Sequence, residues 1–149
     1  MELKAQLAED LKSALRSGDK LRTSVIRLLS AVIKNREVEK RGPLTEAEAI
    51  QAVSASCKQR QEAIEQYRRG GRQDLVDKET AELAILHSYL PAALNVEELQ
   101  TLVREAIRES QAASTRDMGK VMALLMPKVT GRADGKIVST LVREMLSTN

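Results

Sequence analysis

"PKVTGRADGK", Pro127 to Lys136, is the stretch that decides the fold class. As a phosphate-binding loop it would need a strand before it and the spacing G-x-x-x-x-G-K-[ST], and the chain would then be sought among α/β proteins. "GRADGKI" is one residue short, lacks the hydroxyl that would hold magnesium, and follows a helical pattern. The other reading is an elbow between two helices, with Pro127 ending the first and Asp134 capping the second. A helix-turn-helix for DNA is disfavoured, because the connection from Pro127 to Ala133 exceeds the usual three or four residues.

Working outward, the rest of the chain also reads as helices. Leu3, Leu7, Leu11 and Leu15 recur every four residues up to Gly18. Asp19 can cap a second helix with Leu21, Val25, Leu28, Leu29, Val32 and Ile33 as its apolar stripe, ended by Gly42-Pro43. Thr45 with Glu48 makes a capping box for a third, broken at Gly70-Gly71, and Asp74 is expected to cap a fourth that stops at Pro91. Asn95 and Glu98 form another capping pair, and Asp117 and Asp134 are expected to cap two shorter helices, the first ended by Pro127. No strand pattern is convincing. The expectation is an all-α protein with a four-helix N-terminal domain, residues 1–91, and a three-helix C-terminal domain, residues 95–149, joined through "PAALN".

Composition narrows the function classes. The one cysteine, Cys57, excludes a disulfide framework and a Cys-rich metal site and suits a reducing compartment. No apolar run approaches the roughly 20 residues that span a bilayer, and the start "MELKAQLAED" is charged. A cytoplasmic location with no membrane partner is therefore expected. His87, the one histidine, sits in an apolar helical pattern, and Cys57 falls in another. No catalytic constellation, metal spacing or cofactor motif can be written from these residues.

Charge points elsewhere. The net charge is +3, and between Arg116 and Arg143 six basic residues face two acids, Asp117 and Asp134. Two expected helix starts share a device, "DMGK" at 117–120 and "DGK" at 134–136, in which an aspartate caps, a bare glycine (Gly119, Gly135) follows, and a lysine comes next. Free amides and the positive end of the macrodipole favour an anion there, with Lys120, Lys128, Arg132 and Lys136 adding charge. The plain alternative is that the aspartates only cap and the glycines only permit packing. A second basic surface is sketched by Arg27 and Lys34, two helical turns apart, and by Lys58, Arg60 and Arg72, unless these belong to a solvated face laced with ion pairs. With only Tyr67 and Tyr89 as aromatics, a nucleic acid would be held by backbone and shape, with little base stacking.

The motifs "DKLRTSVIRLL", "AVIKNREVE", "KQRQEAIEQY", "GRQDL", "AELAILHSYLP", "DMGKVMALLMPKVTGRADGKIV" and "LVREML" resemble the YqeY family over essentially the whole chain. The C-terminal part is similar to the tail domain of the B subunit of the tRNA-dependent glutamyl/aspartyl amidotransferase. The resemblance implies a tail that recognises folded tRNA, with Lys120, Lys128, Arg132 and Lys136 at the matching positions and Gly119, Gly131, Asp134 and Gly135 shaping the loops. It also implies the label such proteins carry, carbon-nitrogen ligase with glutamine as amide donor. The catalytic body of that enzyme has no counterpart in 149 residues, so no catalysis by the chain alone is expected. Three functions follow as expectations: a module docking tRNA or other structured RNA, an accessory to aminoacyl-tRNA amidation that needs amidotransferase partners, and a protein adaptor.

Overall fold

The structure is a computed structural model that describes residues 2–148, and it is all-α among them. The chain divides into two compact units, Met1–Leu90 and Pro91–Asn149. The N-terminal unit holds α1 (Glu2–Ser17), α2 (Lys20–Lys40), α3 (Glu46–Arg69) and α4 (Gln73–His87). The C-terminal unit holds α5 (Val96–Ser110), a single 3-10 turn at Thr115–Asp117, α6 (Met118–Val129) and α7 (Gly135–Ser147).

Local chemistry sets most helix boundaries. Gly18 turns the chain at φ 70°, and Asp19 then caps α2 by accepting from the Arg22 amide at 3.0 Å. Thr45 and Glu48 close a reciprocal capping box on α3, as Asn95 and Glu98 do on α5. Three boundaries differ from expectation. α2 ends on Arg41, held in the left-handed region at φ 64°, before Gly42 is reached. α4 begins behind Arg72, which makes no side-chain cap; Asp74 lies in the first turn, paired to Arg72, and the helix stops at His87. α6 runs through Pro127 to Val129, because a proline in the last turn removes a single hydrogen bond and Thr130 still donates to the Met126 carbonyl.

Each unit has its own core. Val25, Ile26, Leu29 and Ile33 of α2 pack with Leu3, Leu7, Val53, Cys57 and Leu86. In the other unit Val103, Val121, Leu125, Val138, Val142 and Leu146 close a three-helix core. Not all expected core leucines reach it. Successive steps of four residues rotate about 40° around a helix, so the four leucines of α1 sweep through roughly 120°. Leu3 and Leu7 are buried, Leu11 is half-buried, and Leu15 is 53% exposed. On α2, Leu28 is likewise 52% exposed.

Candidate nucleic-acid interface

In the C-terminal unit α7 starts five residues after α6 ends, and the 3-10 turn before α6 packs against both α6 and α7. The two helix starts are therefore set apart by the length of α6, 12 residues or roughly 18 Å. They lie toward opposite ends of α6. They also differ in chemistry. At α7 the Asp134 carboxylate accepts from the Lys136 amide at 2.8 Å, so that amide is occupied, while the amides of Gly135 and Ile137 have no partner among the described residues. At α6 Asp117 makes no cap. Its carboxylate accepts from the Ala113 amide at 2.9 Å and holds the 3-10 turn, which Ser114 caps. That hydrogen bond, helped by nearby Lys120, keeps the Asp117 carboxyl below its ordinary range.

The basic side chains regroup accordingly. Lys128 in the last turn of α6, Arg132 in the connection and Lys136 in the first turn of α7 fall around one elbow, and none forms an ion pair among the described residues. Lys120 belongs to the far end of α6 and lies 3.9 Å from Asp117, a surface pair of little energy. Gly131 takes φ 77° in the elbow, which a side chain would resist, and a Cβ built on Gly119 or Gly135 would meet nothing within 4 Å. The backbone there is open to a ligand.

Arg132 needs correction as a free contact. Its Nε donates to the Ala92 carbonyl at 2.9 Å, and its own carbonyl accepts from the Leu94 amide at 2.9 Å. Arg132 thus straps the segment before α5 to the elbow, and only its terminal guanidinium nitrogens remain for a ligand. In the N-terminal unit the second basic surface also shrinks. Arg60, half-buried, bridges from α3 to Glu79 at 2.8 Å and to Glu82 on α4. Arg72 makes a bidentate pair with Asp74 at 3.0 and 3.1 Å, which lowers the Asp74 carboxyl. Arg27, Lys34 and Lys58 stay exposed without ion-pair partners among the described residues, and α2 brings Lys20 and Arg41 into line with the first two. That row was legible in the sequence as a seven-residue spacing.

Cys57 is buried in the N-terminal core, where desolvation raises its thiol, and His87 is exposed at the end of α4. Among the described residues no helix is long and apolar enough to cross a membrane.

Fold and site together define a two-unit all-helical protein with a basic elbow. A family model described as "Yqey-like protein" matches residues 4–146, and the chain belongs to that family. It is 32% identical over 144 residues to "Altered inheritance of mitochondria protein 41, mitochondrial" from Pyrenophora tritici-repentis, covering 95% of this chain and 79% of that protein. The protein of the same name from Lachancea thermotolerans is 30% identical, covering 94% and 79%. That from Eremothecium gossypii is 37% identical over 103 residues, covering 68% and 56%. These names overturn the cytoplasmic expectation, since the relatives are described as mitochondrial. A single cysteine is compatible with more than one compartment, which is why composition does not single out the cytoplasm.

Proposed function

We propose that this protein is a non-catalytic module that binds structured RNA, tRNA foremost, through the α6–α7 elbow. The observation that carries the reading is the grouping of Lys128, Arg132 and Lys136 around one turn with no carboxylate among the described residues paired to any of them. Charges left unpaired on a short, glycine-opened connection are disposed to take phosphate oxygens. The free amides of Gly135 and Ile137 supply further donors at a helix N-terminus. Both tyrosines lie in the other unit, and the chain has no Phe or Trp. The C-terminal unit itself supplies no aromatic stacking platform, which favours folded RNA recognised by its backbone over a single strand.

A folded tRNA titrated against the chain at several salt concentrations tests this. Neutralising about three phosphates predicts a log–log salt slope of roughly 2 to 3. The double variant Lys128→Glu/Lys136→Glu should lose about two units of that slope and bind at least tenfold more weakly at low salt. A flat salt response, or equal binding by wild type and variant, would defeat the proposal. Participation in aminoacyl-tRNA amidation with partner subunits is the alternative; amide transfer to tRNA that needs both the chain and amidotransferase subunits would favour it, and amide transfer by the isolated chain would overturn the non-catalytic reading itself.

A further inference from the structure

The outward face of α2 carries a pattern that neither the core nor the elbow uses. Leu21, Leu28 and Asn35 recur every seven residues, with Ser24, Ala31 and Val38 three residues after each. This is the a/d spacing of a helix-pairing seam. The residue before each a position is basic as far as the helix runs: Lys20, Arg27, Lys34 and, at the C-cap, Arg41. All ten side chains are exposed, and none of the four cations forms an ion pair among the described residues. Seven large hydrophobic side chains are exposed among the described residues. Three of them are Leu21, Leu28 and Val38 on this seam, at 37%, 52% and 67%. A fourth, Leu15 of α1, lines with Leu28 a cleft of about 530 Å³ whose other walls include Ala14 and Thr23, with Lys20 and Arg27 beside it.

We infer that this face docks an α-helix of another protein, one with leucine-type side chains on its seam and carboxylates along the flank that meets the cation row. Ser24 and Ala31 are small, so a second helix axis can come close, and Leu28 and Leu15 present apolar surface to bury. From Leu21 to Val38 the seam spans about 26 Å, which matches a partner helix of some five turns. Charge settles the occupant. An antiparallel second copy would set one row of four cations against another. A parallel copy would set Lys20 and Arg27 against Val25 and Val32, which are buried or packed against this protein's own core, and would give a carboxylate, Glu39, to Lys34 alone. A phosphate backbone would satisfy the cations and leave the leucines and their cleft without gain.

The test uses two synthetic helical peptides of about 21 residues with the same leucine seam, one flanked by Glu and one by Lys, read by fluorescence anisotropy against the full chain. The Glu peptide should bind in a salt-sensitive manner and the Lys peptide at least tenfold more weakly. Leu28→Asn should weaken the Glu peptide at least tenfold with an unchanged circular dichroism spectrum, because Leu28 is not a core residue. Arg27→Glu/Lys34→Glu should invert the preference between peptides. Equal affinity for both peptides, absence of binding, or indifference to both variants would overturn the inference. So would a dimer of the chain in sedimentation that Leu28→Asn abolishes, or loss of RNA binding in Arg27→Glu/Lys34→Glu with the elbow intact. The peptide and sedimentation outcomes leave the elbow untouched, and the elbow variants Lys128→Glu/Lys136→Glu leave the peptides untouched, so the two proposals fail separately; loss of RNA binding in Arg27→Glu/Lys34→Glu is the one outcome that counts against both.

Discussion

Arg60 reaches from α3 to Glu79 and Glu82 on α4, and replacing it with alanine should unsettle the N-terminal unit. The side chains of Arg60 and Glu82 are 16% and 8% exposed, and that of Glu79 is 19% exposed. Removing the guanidinium leaves two neighbouring carboxylates with little water and no counter-charge. Breaking a buried pair in this way costs about 3 to 5 kcal/mol, and the partial access of Glu79 to solvent puts the expected loss near the lower end. For a unit of this size about 3 kcal/mol corresponds to a fall in Tm of roughly 12 to 24 °C. Both tyrosines, Tyr67 and Tyr89, belong to this unit, so tyrosine fluorescence in a urea or thermal titration reads it alone. The apolar double variant Arg60→Leu/Glu82→Leu should recover at least half of the loss, because it leaves a single carboxylate with nothing charged facing it. If Arg60→Ala shifts stability by less than about 1 kcal/mol, the bridge is not structural and Arg60 returns to the pool of free surface cations.

Acid should act on the same unit through Glu48. Its hydrogen bonds from Lys40 and from Thr45 lower its carboxyl from 4.5 to about 2, and Lys4 lowers Glu37 in the same direction. A carboxyl depressed by folding contributes stability above its unfolded pKa and loses it as pH falls through the folded one. Stability by tyrosine fluorescence should therefore decline between pH 4.5 and about 2, and Lys40→Met should flatten that decline. In the C-terminal unit Gly131→Ala should cost about 1 to 2 kcal/mol, because its φ of 77° is unfavourable for a side chain. Asp134→Ala should cost about 1 kcal/mol through the lost cap on α7, with both changes followed by circular dichroism in urea. Arg132→Ala should lose about 1 kcal/mol by freeing the Ala92 carbonyl, whereas Lys128→Ala should leave stability unchanged.

The features legible in the sequence are those whose causes lie within a few residues. The capping pairs Thr45–Glu48 and Asn95–Glu98, and the single caps Asp19 and Asp134, are written in adjacent residues and appear in the structure as hydrogen bonds across two or three positions. Asp74 and Asp117 have the same composition around them but are drawn to other donors, Arg72 and the Ala113 amide, and composition does not rank such competitors. The basic residues failed or survived on longer range. Arg60 looked like a surface charge until α4 brought Glu79 and Glu82 to it, 19 and 22 residues away. Arg132 meets a carbonyl 40 residues earlier in the chain. The supposed twin helix starts were separated by something the sequence did contain, the length of α6, once its boundaries were known.

The most direct measurement is a titration of folded tRNA into isotopically labelled protein, following every backbone amide by nuclear magnetic resonance. The amides from Lys128 to Val138 should shift first and most, with Gly135 and Ile137 prominent. Perturbations concentrated on any other surface, or none at tRNA concentrations of tens of micromolar, would contradict binding at the elbow.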